Sequence, residues 1–520
     1  MTFENELTYV RMTKAGKEKE FHDLYEKALK EAESFLHKEY PNIIGNEVME
    51  NEKLKDISPI DGKEIGTFQA ASAESVGKAI SMLKANYRKW YHYGYRRRAS
   101  IMLKAADLLS EKKFLISALL AYENGKNRTE AMADVDEGID FLRYYALDLI
   151  QNNGYERLTG KGYDNEESFS VMKPYGVFAV IPPFNFFAIT VGMTAGPLVT
   201  GNGVILKASG DIPISTYLTV KMLYDAGVPK EALAFVAGKG SVVGKMITEH
   251  DDIGGVVFTG SREVGMGIYR NAQSKRPKPV ITEMGGKDAV IVSNNCRLDD
   301  AVEGVFRGAY GYSGQKCSAT SLAYVHRDVY DEFVKKLTEK VKNLKPEDPR
   351  KREAFLNPVV NREAFEKFKS LAPKFAEAGK IVAGGKALDQ PGFYVEATLI
   401  ADAKPDSHVV REELFLPVLA VLKVNSVEEA VEHINRSEYG LTGGIFTNSQ
   451  KEMEYYFDNV EAGVIYANRT RGASTGAVVG SQPFVGWKLS GISGKGTGSY
   501  YYLQQFMREQ SQTIAHSDIS

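Results

Sequence analysis

Cysteine is nearly missing from this chain: there are two in 520 residues, Cys296 and Cys317. So few thiols exclude a disulfide framework, and their spacing matches neither a zinc site nor a redox pair, which makes a reducing cytoplasm the expected compartment. Net charge is equally scarce. Lys+Arg 65 against Asp+Glu 67 leaves a formal charge of -2, so the overall field offers no long-range attraction to nucleic acid or to an anionic membrane. No stretch is long and apolar enough to span a bilayer. Glu4 and Glu6 precede any basic residue, unlike a signal or transit peptide. The eight histidines show no HExxH or Cys/His spacing, so no metal site is expected. The run His326-Arg327-Asp328 imitates a kinase catalytic loop but has no Gly-rich ATP loop or DFG partner, and reads as surface. The basic run Arg96-Arg97-Arg98 opens a helical pattern and reads as a solvated face.

The chain does have the length for two or three packed domains. Its 43% hydrophobic and 25% charged residues and 48 glycines fit a soluble α/β enzyme with a small-molecule partner. Residues Lys17 to Leu36 place Phe21, Leu24, Ala28, Ala32 and Phe35 at three- and four-residue steps, predicting an amphipathic helix docked by one face. From Gly176 the texture changes to short apolar runs, GVFAVI, GVILKA, ALAFVAG, GGVVFTG and KPVITEMGG, separated by helical periods at Ile214–Ala226, Ser241–Glu249 and Arg262–Ala272. That alternation predicts a parallel nucleotide-binding sheet up to Glu283. DAVIVSNN, a helix over Asp299–Tyr310, SLAYVHR and a helix over Val329–Leu344 predict a second α/β unit from about Gly285. Gly154–Met172 and Phe506–Ile514 read as extended strands outside both sheets, suited to pairing between subunits.

Cys317 lies in YSGQKCSA, a Gly-containing turn after a helix. Backbone amides there can face a bound oxygen, and local dipoles together with Lys316 can favour a thiolate. Alone, a buried cysteine is an ordinary packing residue. Likewise Glu283 alone is a structural carboxylate, Asn185 after Pro-Pro-Phe a turn former, and the GxG of GKGSVVG a loop rather than a dinucleotide fingerprint.

Taken together, PPFNF, FTGSREVG, TEMGGKD, GQKCSA, EELFLP and PFVGWKLSG, in this order along the chain, resemble the aldehyde dehydrogenase superfamily from end to end. GQKCSA, the PFNF form and STGAVVGSQPF resemble its glutamate-γ-semialdehyde-oxidising branch. The resemblance implies an α/β fold of two Rossmann-like domains with a small β oligomerisation element. Residues 1–152 and 173–284 would bind cofactor, 285–486 would carry the nucleophile, and 153–172 and 487–520 would build a homo-oligomer of two or more subunits. It implies Cys317 as nucleophile, Glu283 as the base that activates water, and Asn185 as oxyanion donor. NAD, or alternatively NADP, would contact Phe184, Lys207, Gly240, Gly260, Ser261, Val264, Gly285, Glu413 and Phe415. The aldehyde would meet Glu137, Phe186, Ser318, Gly476, Ala477 and Phe484.

Three departures stand out. Gly210 occupies a position where many relatives carry Glu or Ser, which leaves the choice between NAD and NADP open. Leu416 and Val485 replace glycines and are expected to reshape the mouth of the site, near the nicotinamide and the substrate loop respectively. The rival readings are a dehydrogenase of another carboxylated semialdehyde, such as succinate semialdehyde, and a catalytically retired binding protein.

Overall fold

The computed structural model describes residues 5–47, 52–274, 276–470 and 478–516. Its centre is a five-stranded parallel sheet ordered Val280–Glu283, Ile253–Thr259, Val177–Ile181, Gly203–Lys207, Leu233–Val236. Side-chain alternation explains why these runs are apolar throughout. Phe178, Val180, Val204, Leu206, Leu233 and Phe235 face helices Phe187–Val199, Pro213–Ala226 and Arg128–Gln151. Val177, Ala179, Ile205, Ala234 and Val236 face helix Ala73–Tyr91 on the other side. A sheet covered on both faces keeps its strand interiors apolar, and the polar Lys207, Thr259, Thr282 and Glu283 stand toward the strands' C-terminal ends. Burying each of its larger aliphatic or aromatic side chains contributes about 1.5–3 kcal/mol.

The second sheet has seven strands, ordered Lys380–Ala383, Thr398–Ala401, Val418–Val424, Thr320–His326, Asp288–Val292, Thr442–Phe446, Val464–Ala467. All neighbours are parallel except the first pair. Only two of these strands had been anticipated from the sequence. The expected helix at Ser241–Glu249 begins as a wider π turn over Gly240–Gly244 before the α-helix Lys245–Glu249. A three-stranded sheet of Lys38–Tyr40, Glu64–Gln69 and Lys53–Ile57 was not anticipated either.

The expected N-terminal helix spans Glu18–Glu33 and buries Phe21, Tyr25, Ala28, Leu29 and Ala32. The Tyr25 hydroxyl donates to the Ser117 carbonyl at 2.9 Å, tying it to helix Lys113–Glu123. Outside both sheets, Met507–Ala515 pairs antiparallel with Glu166–Pro174, which pairs with Glu156–Leu158. This ribbon exposes Leu158, Tyr163 and Ile514. His326-Arg327-Asp328 closes a strand and caps the helix that follows, as a surface corner. Among the described residues, no helix is long and apolar enough to cross a membrane.

Candidate active site

Cys317 follows helix Leu298–Tyr310 and a short turn over Gly311–Gly314. Tyr312, Ser313 and Gly314 all take positive φ, at 48°, 54° and 67°. For the two residues with side chains this costs about 1–3 kcal/mol each, so the surroundings must hold the turn. They do so with buried hydrogen bonds. The Tyr312 N–H donates to Glu130 at 2.9 Å and its hydroxyl to the Asn124 carbonyl at 2.8 Å. The Ser313 hydroxyl accepts from the Asn357 N–H at 3.0 Å, and Gln315 Oε1 accepts from the Val360 N–H at 2.8 Å. A Cβ at position 314 would lie 2.4 Å from the Leu416 carbonyl oxygen, so only glycine fits.

The expected thiolate is not what this setting favours. Burial, then Asp288, Glu413 and Glu283, push the Cys317 thiol well above its usual range, opposed by its own backbone N–H. Lys316 does not counter this, because its ammonium pairs with Glu130 at 2.7 Å. These neighbours therefore disfavour the thiolate at Cys317 in the protein alone.

Glu283 ends the strand Val280–Glu283, where its carbonyl accepts from the Gly260 N–H at 3.2 Å. Its carboxyl is buried and accepts a backbone hydrogen bond from Gly486, and its Oε2 has no partner among the described residues. Burial raises its pKa well above the ordinary carboxylate range, as a carboxyl in a low-dielectric wall must.

Asn185 sits in the loop after strand Val177–Ile181 and donates from Nδ2 to the Gln315 carbonyl at 3.0 Å. One side-chain N–H fixes the amide plane and leaves the other for a ligand. The loop is held by residues that sequence reasoning missed. Asn124 donates to the Phe184 carbonyl at 2.9 Å, and the fully buried Lys126 donates to the Asn185 carbonyl at 2.6 Å. Lys126 also pairs with Asp134, which accepts from the N–H groups of Phe187 and Ala188 at 2.9 and 2.8 Å. The rings of Phe186 and Tyr312 lie 4.3 and 4.9 Å from the ammonium.

Two cavities meet at the cysteine. The larger, about 770 Å³, is a cleft that Phe184, Lys207, Gly240, Gly260, Ser261, Val264, Gly285, Glu413 and Phe415 all line, together with Asn185 and Cys317. Its walls suit a dinucleotide. Helix Arg262–Gln273 points its N-terminus at the cleft under an N-cap by Ser261, which favours a phosphate there. Burial pushes the Lys207 amine down to about 8, and its Nζ donates to the Ala208 carbonyl at 2.9 Å. Burial pushes the Glu413 carboxyl up to about 7, and its Oε1 accepts from the Gly286 N–H at 3.2 Å. A Cβ on Gly285 would lie 1.9 Å from the Glu413 carboxylate, so any larger residue there displaces this acid from its place.

The second cavity is narrow. Glu137, Phe186, Ser318 and Phe484 line it along with Asn185, Glu283, Cys317 and Thr497. Burial, then Asp134, push the Glu137 carboxyl up to about 8. The Ser318 side chain is 1% exposed and its hydroxyl has no partner among the described residues. Gly476 and Ala477 lie outside the described residues. Leu416 corrects its expected role: it packs into the hydrophobic core below the second sheet, while Phe415 lines the cleft. Val485 lines neither cavity.

A family model described as the aldehyde dehydrogenase family matches residues 47–512. The chain is similar to 1-pyrroline-5-carboxylate dehydrogenase 1 of Halalkalibacterium halodurans, 39% identical over 94% of this chain and 95% of the relative. It is also similar to the 1-pyrroline-5-carboxylate dehydrogenase of Staphylococcus aureus, 38% identical over 94% and 95%. A Thermus 1-pyrroline-5-carboxylate dehydrogenase solved with bound NAD superposes with a TM-score of 0.94 at 33% identity, covering 99% of both chains. Proline utilization A of Bdellovibrio bacteriovorus superposes at 0.93 and 33% identity; there the match spans 99% of this chain and 53% of that longer one.

Proposed function

The chain belongs to the aldehyde dehydrogenase family, and on that premise we propose that it oxidises L-glutamate γ-semialdehyde, the open form of Δ1-pyrroline-5-carboxylate, to L-glutamate with NAD as hydride acceptor, a step of proline degradation. The names and near-full coverage of its relatives support the substrate, and the NAD-bound Thermus structure supports the cofactor. The observation that carries the reading is the meeting of two cavities at Cys317, with the buried, unpartnered Ser318 hydroxyl beside the nucleophile on the narrow side.

In this reading Cys317 gives up its thiol proton to solvent and its sulfur attacks the aldehyde carbon, which leaves the Glu283 carboxylate free for the later step. The carbonyl electron pair moves to oxygen, which the free Asn185 N–H and the Cys317 backbone N–H receive as donors. NAD, when bound along Lys207, Ser261 and Glu413, supplies the hydride acceptor that turns the thiohemiacetal into a thioester. Glu283 then takes a proton from water as the water oxygen adds to the thioester carbon. Collapse breaks the carbon–sulfur bond and returns the sulfur to Cys317. Phe186 and Phe484 enclose the aliphatic chain, Glu137 faces the substrate amino group, and Ser318 with the amides of Gly476 and Ala477 holds the carboxylate.

The same reading assigns residues 1–152 and 173–284 to the cofactor, 285–486 to the nucleophile, and 153–172 and 487–520 to a homo-oligomer built on the exposed edge of Met507–Ala515. It implies a reducing compartment such as the cytoplasm. Steady-state assays with NAD and NADP on glutamate semialdehyde, succinate semialdehyde and pentanal test it. Greater efficiency on succinate semialdehyde overturns the substrate, and absence of NADH production overturns the enzyme reading.

A further inference from the structure

A third cavity, of about 490 Å³, lies on the face of the second sheet that helix Val427–Asn435 covers. It shares neither Cys317 nor Ser318 with the two cavities above. Its walls are apolar where Ala289, Leu322, Val410 and Ile434 meet. One side is a flat aromatic stack, Tyr324 on His433, with centroids 5.6 Å apart and planes 5° from parallel.

Lys287 opens into this space. Its side chain is buried, with the residue 6% exposed, and among the described residues its ammonium makes no hydrogen bond and no ion pair within 4.0 Å. Buried amines are normally matched by a carboxylate or by full hydrogen bonding. Most other charges around it are already engaged. Asp288 accepts from the Thr442 N–H at 2.6 Å through Oδ1, while its buried Oδ2 has no partner among the described residues, and Glu413 accepts from Gly286. Glu438 pairs with Arg262 at 2.8 Å, and Arg411 pairs with Asp406. Arg436 lies 3.9 Å from Glu432 and His433 lies 3.9 Å from Glu429. Glu412 borders the cavity with an exposed side chain.

We propose that this cavity is a second ligand site and that it takes a small organic carboxylate, with the carboxylate on Lys287 Nζ and the apolar body against Leu322, Val410 and the Tyr324–His433 stack. The volume suits a small molecule; Lys287 is its buried cation without a partner among the described residues, while the lining carboxylates Asp406 and Glu438 are held by Arg411 and Arg262 and Glu412 is exposed. Burial pushes the Lys287 amine down to about 8, while Glu413, Asp288 and Glu412 act to hold it up. Below that pH it is a cation and binds the anion; above it the charge, and with it the affinity, is lost.

The test is calorimetric titration of the full-length protein with hexanoate, and with hexanamide as the uncharged control, at pH 7 and again at pH 9.5. Hexanoate should bind wild type and Ser318→Ala alike, and should lose about tenfold or more in affinity in Lys287→Met and at the higher pH. Leu322→Trp, which fills the cavity without touching the lysine, should block binding as well and keeps the test decisive if Lys287→Met does not fold. Hexanamide should not bind. Undiminished affinity in Lys287→Met or Leu322→Trp, binding that disappears in Ser318→Ala, equal binding of the amide, or no binding of hexanoate to wild type in the millimolar range would each overturn the proposal.

Discussion

Lys126 donates from a fully buried ammonium to the backbone carbonyl of Asn185 at 2.6 Å. The residue proposed to stabilise the oxyanion is thus held from behind by a cation that lines neither of the cavities meeting at Cys317. Asp134 balances that cation and also caps helix Phe187–Val199 through two backbone N–H groups. One ion pair therefore sets both the loop and the helix that follows it.

Lys126→Met should lower stability by about 3–5 kcal/mol, the range for breaking one side of a buried pair, because Asp134 keeps its charge without its partner. The double variant Lys126→Met with Asp134→Asn should recover part of that loss in denaturant titrations. In protein that remains folded, kcat should fall more than the affinity for NAD, since the carbonyl anchor of Asn185 is gone while the cleft is intact. An unchanged denaturation midpoint for Lys126→Met would show that the pair is not structural.

Glu283→Gln should leave a burst of NADH followed by slow turnover, since hydride leaves before the thioester meets water. Cys317→Ala, run beside it, should give neither burst nor turnover while still binding NAD. The pH profile follows from the raised pKa of Glu283. The base works only when ionised, so steady-state kcat should fall as pH drops through that raised value, and the Gln variant should lose this limb. Stopped-flow absorbance at several pH values measures both, and a burst that vanishes with turnover would place Glu283 earlier in the reaction.

Glu413 gives a second pH dependence. With its carboxyl pushed up to about 7 by burial, it is ionised above that pH and accepts strongly from a ribose hydroxyl, and protonated below it, where it accepts weakly. The KM for NAD should therefore rise as pH falls through about 7, and Glu413→Gln should flatten that rise while raising KM throughout. Initial-rate measurements at saturating aldehyde decide it.

What the sequence made legible, and what it hid, follows from range. The strands of the first sheet are buried on both faces, so GVFAVI or GVILKA read directly as apolar runs. KEY and KLKDI lie in a half-exposed sheet, exposing Lys38, Glu39, Lys53 and Lys55 while Asp56 is buried, so no apolar run marks them; glycines interrupt TGGIF in the same way. Cys317, Glu283 and Asn185 were visible through compact motifs. Lys126 was not, because its partner carbonyl is 59 residues away, and Lys316 was misread because Glu130, which takes its charge, lies 186 residues upstream. Leu416 was misplaced for a local reason: Phe415 takes a φ of 58°, so the chain turns there and sends the next side chain into the core instead of the cleft.

The proposed substrate specificity rests on the Ser318 hydroxyl, buried beside Cys317 with no partner among the described residues. Leaving a buried hydroxyl unmatched costs about 1–3 kcal/mol, whereas a hydrogen bond from it to a charged acceptor contributes about 1.5–3 kcal/mol. A substrate carboxylate reaching Ser318 removes the first and gains the second, and Phe186 and Phe484 stand on the same cavity to cover the chain between carboxylate and aldehyde. An aldehyde of similar length without the carboxylate should therefore lose at least about a hundredfold in kcat/KM. Ser318→Ala should narrow that gap by about tenfold, mostly through a higher KM for glutamate semialdehyde, and leave pentanal nearly unaffected. The comparison needs glutamate semialdehyde and pentanal on both proteins. Equal efficiency on the two aldehydes with wild type would remove the carboxylate anchor, and a parallel loss on both with Ser318→Ala would make Ser318 a packing neighbour of the nucleophile instead of a contact to the substrate.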